Sequence, residues 1–262
     1  MSEIKKPAVA GLFYPADTDK LRADVRQFLA EARPGTDTLP KALIAPHAGY
    51  IYSGPVAGSA YAGLKPFSSK IKRVVLLAPA HRLGFPGLAY CSAKVFRTPL
   101  GDVPVDSEAI ATIAELPQVS LLDAAFTEEH SIEVHLPFLQ ECLDQFTLVP
   151  LLVSNANAAE VEEVLELLWG NSETLIVISS DLSHYLDYES AREMDKQATQ
   201  AIETLHPEAL GENSACGRIP IKGLLLVAKQ YHLHAKTLDL RNSGDTAGPR
   251  DRVVGYGAYV FS

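Results

Sequence analysis

Three short apolar runs, each followed closely by a histidine, constrain the fold of this chain more than any other feature. The runs and their histidines are residues 42–45 with His47, residues 74–78 with His81, and residues 175–178 with His184. Short apolar runs bounded by Pro, Gly and polar residues are typical of buried strands. The carboxyl ends of neighbouring parallel strands meet at one edge of an open α/β sheet, where ligands gather. We therefore predict that the three imidazoles share one site at that edge.

Segments with helical periodicity alternate with strand-like segments along the chain. Predicted helices follow Asp17 and lie at 55–64, 107–116, 128–143, 158–169, 187–205 and 219–231. Further predicted strands lie at 88–91, 94–97, 146–153, 236–240 and 253–261. This alternation predicts an α/β fold with a central, mostly parallel sheet covered by helices on both faces. We expect a single domain over residues 1–262.

Two predicted helices carry a proline. Pro55 suits the first position of the 55–64 helix, because that position needs no backbone N–H. Pro137 interrupts the apolar stripe of the 128–143 helix and predicts a kink there. The apolar but interrupted segment 7–16 precedes the first helix, and we expect it to form an ordered arm that packs on the body.

Composition excludes several classes of function. The 262 residues carry 23 Lys and Arg against 32 Asp and Glu, a net charge of -9 that disfavours nucleic acid as a partner. Three cysteines without paired spacing favour a reducing compartment over a disulfide framework. No apolar run approaches the roughly 20 residues of a membrane span, and residues 1–6 lack a signal-peptide core. We expect a cytoplasmic protein without membrane contact.

The three histidines can act together where one alone would more often be structural. Imidazole binds Fe, Cu, Zn and Ni and also acts as a base near neutral pH. Asp181, three residues before His184, either caps the following turn or orients a histidine or a bound water. His130 and His135 are five residues apart on the predicted 128–143 helix and point apart, so they are poor joint ligands. His130 could line a pocket with Glu133, but we expect a capping or surface position for it.

Cys216 is the third cysteine and precedes a predicted helix. The helix amino terminus and the nearby Arg218 predict a lowered thiol pKa, and a thiolate is a soft ligand for Fe, Zn or Cu(I). The alternative is a small buried hydrophobic residue. We expect Cys91 and Cys142 to be small buried hydrophobic residues of this kind. Neither a Gly-rich nucleotide loop nor a G-x-S-x-G turn occurs, which argues against nucleotide binding and a serine hydrolase.

Four sequence blocks resemble the signature segments of the Memo family. Residues 7–15, 45–50, 129–138 and 180–185 read PAVAGLFYP, APHAGY, EHSIEVHLPF and SDLSHY. The resemblance runs nearly end to end. It implies the fold of the LigB-type class III extradiol dioxygenases, which are non-haem Fe(II) enzymes that open catechol rings with two histidines and a carboxylate as ligands.

Carried over position by position, the resemblance implies a role for five residues. His47 and His81 match the two histidine ligands, and Cys216 falls at the carboxylate ligand. His184 matches the acid/base histidine, with Asp181 beside it. A thiolate in place of the carboxylate changes the charge and redox behaviour of the metal, which argues against ring opening but not against metal binding.

The resulting prediction is a metal-binding redox protein with Fe(II) as the first choice and Cu or Zn as alternatives. A peptide- or protein-binding module that uses the same cleft, with Tyr50, Tyr52 and Tyr185 as contacts, is a second interpretation. A Zn-dependent hydrolase is a third. We expect a small molecule or a peptide at the strand-end cleft. The resemblance also implies association with radical-SAM system proteins.

Overall fold

A nine-stranded sheet forms the centre of the protein in a computed structural model, which describes residues 3–32 and 38–262. The strands of the described chain are β1 (Ile4–Lys5), β2 (Ala42–Ala45), β3 (Arg73–Pro79), β4 (Leu88–Tyr90), β5 (Val95–Thr98), β6 (Gly101–Pro104), β7 (Val119–Leu121), β8 (Thr147–Val153), β9 (Thr174–Ser179), β10 (His184–Leu186), β11 (Ala235–Asn242) and β12 (Val253–Phe261). Its α-helices are α1 (Thr18–Ala30), α2 (Tyr50–Tyr61), α3 (Ser107–Ala111), α4 (Asp123–Phe126), α5 (Leu136–Cys142), α6 (Ala158–Leu168), α7 (Tyr188–Glu203) and α8 (Arg218–Gln230).

The order of strands in the large sheet is β10-β12-β2-β9-β3-β8-β4-β7, with β11 also paired to β12. The central strands β2, β9, β3 and β8 are all parallel to their neighbours in that group. Antiparallel pairing begins at the margins, where β12 joins β2 and β4 joins β8. The predicted α/β fold with a mostly parallel centre is confirmed.

Side chains of the central strands alternate between two apolar cores. On β2, Leu43 packs into one core, whereas Ile44 packs into the other. The first core is closed by α1, α2 and α5, and the second by α6, α7 and α8. Both faces of the sheet are therefore covered by helices, as the near-continuous apolar sequence of its central strands predicts. No helix in the described part of the chain is long and apolar enough to cross a membrane.

The helix predicted at 55–64 begins five residues earlier. Gly49 is its N-cap, and the N–H of Tyr50 donates to Phe13 O at 2.8 Å. Pro55 therefore lies inside α2 rather than at its first position. The carbonyl that loses its partner is that of Ile51, whose residue is 68% exposed, so water can replace the missing N–H.

The helix predicted at 128–143 is broken into shorter pieces. A 3-10 helix covers Glu133–His135, and α5 begins only at Leu136, so Pro137 lies in the first turn, where proline is tolerated. Ile132, Leu136, Leu139 and Leu143 are all buried, as their spacing predicts. The missing helical turns are replaced by backbone that bends so that two glutamates, Glu129 and Glu133, reach into the protein.

The amino-terminal arm packs on the body, as predicted, through the carboxylate of Glu133. That carboxylate accepts hydrogen bonds from the N–H of Ala8 at 2.6 Å, the N–H of Val9 at 3.0 Å and the hydroxyl of Tyr14 at 2.6 Å. The segment 82–105 contributes β4 to the large sheet, while β5 and β6 form a three-stranded sheet with β1.

Candidate functional site

Three loops meet at the carboxyl edge of the parallel strands. Strand β9 lies between β2 and β3 in the sheet, so the loops after these strands are neighbours although they are distant in sequence. They carry His47 after β2, His81 after β3 and Asp181 after β9. This is the edge at which ligands gather in open α/β sheets.

His47 is buried and held in one orientation by hydrogen bonds to Asp181 and Ser179. Its backbone N–H donates to Asp181 Oδ1 at 2.8 Å, and its ring atom Nδ1 lies 2.6 Å from Ser179 Oγ. The Ser179 hydroxyl already donates its single hydrogen to Ser131 O at 2.7 Å, so Nδ1 of His47 must be the donor to Ser179. Nε2 then carries the lone pair. Burial holds the pKa of His47 well below its ordinary value, which keeps the ring neutral and able to bind a metal.

His81 is oriented by Glu129, a residue that is only 3% exposed. The backbone N–H of His81 donates to Glu129 Oε2 at 2.5 Å, and the ring atom Nδ1 lies 3.1 Å from Oε1. Although burial alone would raise it, the pKa of Glu129 is held well below its ordinary value by the facing His130 and His81. The ionised carboxylate accepts a hydrogen bond from the Nδ1–H of His81 and leaves Nε2 free, which is the arrangement common around metal-bound histidines.

Cys216 completes a group of three ligand atoms. One ligand atom each from His47, His81 and Cys216 lies within 4.8 Å of the others, and Cys216 Sγ is 3.4 Å from His47 Nε2. Gly217, the N-cap of α8, makes this approach possible. A Cβ there would lie 2.6 Å from Ser179 O and 2.7 Å from Ser180 Cβ, closer than atoms tolerate. The rings of His47 and His81 are 5.1 Å apart between centroids.

The prediction of a lowered pKa for Cys216 is wrong. Burial, reinforced by the charge of Asp181, raises the pKa of this thiol to about 12. The N–H of Asp181 donates to Sγ at 3.3 Å, but this bond and the contacts of Ser180 and Gly217 do not offset the loss of water. The thiol is therefore protonated at neutral pH until a metal displaces its proton.

Asp181 lies beneath the histidine rather than at a helix cap. One carboxylate oxygen binds the N–H of His47, and the other lies 3.9 Å from His47 Nε2. Burial raises the pKa of Asp181, which His184 opposes. Its side chain thus contacts the inner face of the site, in keeping with the orienting alternative.

His184 starts β10 and faces a different part of the site. It lines a cavity of about 470 Å³ together with Cys216, Met194 and Glu212. Its ring contacts Tyr185, with 5.8 Å between centroids, and in the described residues it makes no ring contact with the other histidines. The structure thus brings His47, His81 and Cys216 together, while His184 shares a cavity with Cys216.

His130 was expected at a cap or on the surface, and this expectation is wrong. Its ring stacks on His81 with 5.0 Å between centroids and lies 5.5 Å from the ring of His47. The broken helix turns His130 inward. His130, Glu129 and Ser179 are the site residues that reasoning from strand ends overlooked. Glu129 and His130 do fall in the block EHSIEVHLPF, so the signal was present in the sequence.

The exposure of the tyrosines also differs from expectation. Tyr50 is buried and donates its hydroxyl to Val134 O at 2.7 Å, so it cannot contact a partner. Tyr52 and Tyr185 are 39% and 63% exposed. They remain available as contacts.

Two imidazoles and a thiol form a donor set that suits several transition metals. The two nitrogens and one sulfur occupy only part of a metal coordination sphere, which leaves positions for water or substrate. The residues around them fix ring orientation, and the neighbouring cavity gives access. The arrangement can therefore hold one metal ion and one small molecule beside it.

Comparison with known proteins shows which sequences this chain resembles. Residues 5–260 match the sequence profile of a family described as "Memo-like protein". A MEMO1 family protein of Aquifex aeolicus is 35% identical over 270 residues, which cover 98% of this chain and 99% of that protein. A MEMO1 family protein of Ignicoccus hospitalis is 35% identical over 283 residues, with 98% of each chain covered. One from Sulfolobus acidocaldarius is 35% identical over 280 residues, with 97% of each covered.

Proposed function

Because this chain belongs to the Memo-like protein family, we propose that it is a metal-binding redox protein whose ion is held by His47, His81 and Cys216. The observation that carries the proposal is the convergence of their three ligand atoms to within 4.8 Å of one another. These residues come from three separate parts of the chain. Ser179 and Glu129 turn both rings so that each presents Nε2.

Fe(II) is the ion we favour, with Cu and Zn as alternatives. The residues fit such an ion because both imidazoles have an anchored Nδ1 and the thiol lies beside the Nε2 of His47. A bound redox metal would supply one-electron chemistry and an open position for a small ligand. The thiolate favours softer ions than a carboxylate would, so Cu(I) and Zn compete well at this site.

Asp181 and His184 are the residues to which we assign proton handling. His184 lines the cavity beside Cys216, and an imidazole can act as a general acid or base. It would exchange a proton with a small molecule in that cavity. Asp181 is buried and would orient His47 through the backbone hydrogen bond. We expect no opening of catechol rings, because Cys216 replaces the carboxylate of the enzymes that catalyse it.

Peptide binding at the same edge is a second candidate, favoured by exposed apolar side chains. Ile51, Tyr52 and Tyr185 are 68%, 39% and 63% exposed, and each lies within a few residues of the site. Aromatic and apolar side chains in such positions are common contacts in interfaces. The substitution Tyr185→Ser distinguishes the two candidate functions. It should leave the metal content unchanged in either case, and it should weaken peptide binding only if the protein is a peptide-binding module.

The decisive experiment is metal analysis of protein purified without chelator under anaerobic conditions. We expect about one ion per chain, and at least about tenfold less in His47→Ala, His81→Ala and Cys216→Ser, since each ligand contributes strongly to affinity. His206→Ala, which removes an exposed histidine elsewhere, is the control and should retain full occupancy. Undiminished metal in His47→Ala and Cys216→Ser would refute the proposed site.

A further inference from the structure

A second cavity, of about 360 Å³, lies between α7 and β11. None of the residues assigned to the metal centre lines it. It is therefore a separate feature of the molecule, and what it binds does not depend on the proposed metal site.

The inner wall of this cavity carries two buried polar side chains, each with one unused group. Asp195 is 2% exposed and Asn242 is 1% exposed. Asp195 Oδ1 accepts the N–H of Ser183 at 2.9 Å, and Asn242 Oδ1 accepts the N–H of Gly244 at 2.9 Å. The hydroxyl of Ser183 also interacts with the Asp195 carboxylate and lowers its pKa, but it makes no aligned hydrogen bond; among the described residues, nothing accepts from Asn242 Nδ2.

Both residues line the cavity, and their two unused atoms belong to its nearly buried inner wall. The buried side-chain atoms of the described chain that lack both solvent and a partner are those of His130, His135 and Ser183. Asp195 Oδ2 and Asn242 Nδ2 are not among them, and both residues line the cavity. The cavity therefore presents one hydrogen-bond acceptor with a negative charge and one neutral donor.

The neighbouring strand is shaped to admit the carboxylate. Gly255 lies opposite Asn242 in the pairing of β11 with β12, and a Cβ at Gly255 would lie 2.0 Å from Asp195 Oδ2. Only glycine leaves room for Asp195 here. A buried carboxylate with a single aligned backbone donor is incompletely compensated, since burial of charge requires partners. A cationic ligand would supply the missing partner.

The charges around the cavity favour a cation. Arg192 pairs with Glu189 at 3.3 Å, and Arg241 pairs with Asp239, which lies outside the lining. The lining charges left without an ion pair are then Glu193, Asp195 and Asp245 against Lys196. Negative charge is in excess by two, so the field inside the cavity attracts positive ligands.

An organic cation fits better than a metal ion. In the described residues, groups of three His, Cys, Asp or Glu ligand atoms close enough for a metal occur only around His81, and none occurs in this cavity. The amide donor of Asn242 also needs an acceptor, which a bare cation lacks. A molecule that carries an ammonium group and also a hydroxyl or a carbonyl can pair with both Asp195 and Asn242.

We propose that this cavity binds a small organic ammonium ion that also carries a hydrogen-bond acceptor, with the ammonium on Asp195 and the acceptor on Asn242. Amino alcohols and amino-acid amides have this chemistry. The other oxygen of Asp195, Oδ1, accepts the N–H of Ser183, which precedes His184, so the carboxylate that would hold the ligand also contacts the segment that leads into β10.

Binding should depend on pH through Asp195. Burial raises the pKa of this carboxyl to about 6, and only its ionised form pairs with an ammonium. Affinity should therefore rise as pH increases through 6 and level off above 7. The charged or titratable groups that face Asp195 are Glu189, Arg192, Glu193 and Lys196 of α7, Arg241 of β11, Asp245, and Tyr259 of β12.

Titration of the full chain with ethanolamine, followed by the amide signals of Ser183, Gly244 and Gly255, tests the proposal. We expect saturable shifts with a Kd on the order of 1 mM, as suits so small a ligand held by two groups. Ethylene glycol, which lacks the ammonium, should not bind. Absence of saturation at about ten times that concentration, or shifts confined to other parts of the chain, would overturn the proposal.

Substitutions test the roles of Asp195 and Asn242 separately. Asp195→Asn should weaken ethanolamine binding at least about tenfold, whereas Glu203→Gln, the same change at the far end of α7, should not. Asn242→Asp keeps the acceptor for Gly244 but removes the donor, so the preference for ethanolamine over methylamine should disappear. The ratio of the affinities for ethanolamine and methylamine is informative even if Asp195→Asn folds poorly. Unchanged affinity in Asp195→Asn or an unchanged ratio in Asn242→Asp would contradict the assignment.

Discussion

Cys216 is the residue that most distinguishes this site from a carboxylate-based iron centre. A carboxylate is ionised before metal binds, whereas the pKa of Cys216 is raised to about 12 by burial. Metal binding must therefore displace a proton from sulfur. His47 adds no such requirement, because burial lowers its pKa and keeps it neutral.

Zinc binding at pH 7 should release about one proton from Cys216, and affinity should rise about tenfold per pH unit between pH 6 and 8. The sign follows because the thiol is protonated throughout this range and only the thiolate binds. Calorimetry in two buffers of different ionisation enthalpy measures the proton count. Cys216→Asp is the control and should bind without this release. Proton-independent binding by the unaltered protein would show that the thiolate already exists in the free site.

Some of the site could be read from single residues, and some could not. His47 and His81 follow apolar runs, and strand-end placement alone suggested that they meet. Cys216 was a candidate ligand from its position before a helix, but its place beside His47 and His81 came only from the resemblance to a family. The orienting groups Glu129 and Ser179 act through hydrogen bonds to residues far away in sequence, which no local pattern reveals.

At the scale of elements, one carboxylate makes three of the hydrogen bonds that attach the arm to the body. Glu133 binds Ala8, Val9 and Tyr14, and the arm in turn places Phe13 against His130 with 4.7 Å between ring centroids. The arm is thus part of the wall behind the histidines. Its attachment should influence both stability and the order of the site.

Glu133→Gln should lower the free energy of unfolding by about 3 kcal/mol, because several charge-assisted hydrogen bonds are weakened in a buried place. Urea unfolding measures the change, and hydrogen exchange at Ala8 and Val9 should accelerate. Asp102→Asn, which breaks an exposed pair with Arg97, is the comparison and should change stability little. Equal effects of the two substitutions would mean that the arm is held by other contacts.

The turn before α8 is a second element whose geometry matters. Gly217 lies so close to the end of β9 that Ala at this position must push the turn, and Cys216 with it, away from His47. We expect Gly217→Ala to weaken metal binding at least about tenfold, since ligand placement is precise. Gly63→Ala is the matched control, because a Cβ there meets nothing within 4 Å. Metal titration of both variants decides, and equal affinities would contradict the steric account.

The elements that sequence predicted best are those with strong periodicity. The strands at 174–179 and 253–261 and the helix at 158–169 lie where their apolar patterns indicate, within one residue. The 128–143 segment has an equally good apolar stripe but is not one helix. Its polar residues Glu129 and Glu133 bind backbone groups elsewhere, and these tertiary hydrogen bonds override local helical preference.

At the scale of the whole molecule, the proposed metal ligands join parts of the chain that are otherwise connected only through the sheet. His47 and His81 follow strands on either side of β9, and Cys216 precedes a helix that covers one face. An ion bound to all three would therefore link both sides of the sheet edge. Any ligand that binds only the folded protein stabilises it by mass action.

We expect metal at about 100 times its Kd to add about 2.7 kcal/mol to the stability of the whole chain. For a protein of this size, that gain corresponds to a rise in Tm of roughly 5–10 °C. His184→Ala should keep the rise, since His184 lies outside the group of three ligand atoms, whereas His81→Ala should lose it. Thermal unfolding with and without Zn, followed by circular dichroism, distinguishes these outcomes. Loss of the rise in His184→Ala would instead place this histidine among the ligands, and the cavity beside Cys216 would then be closed by the ion rather than open to a substrate.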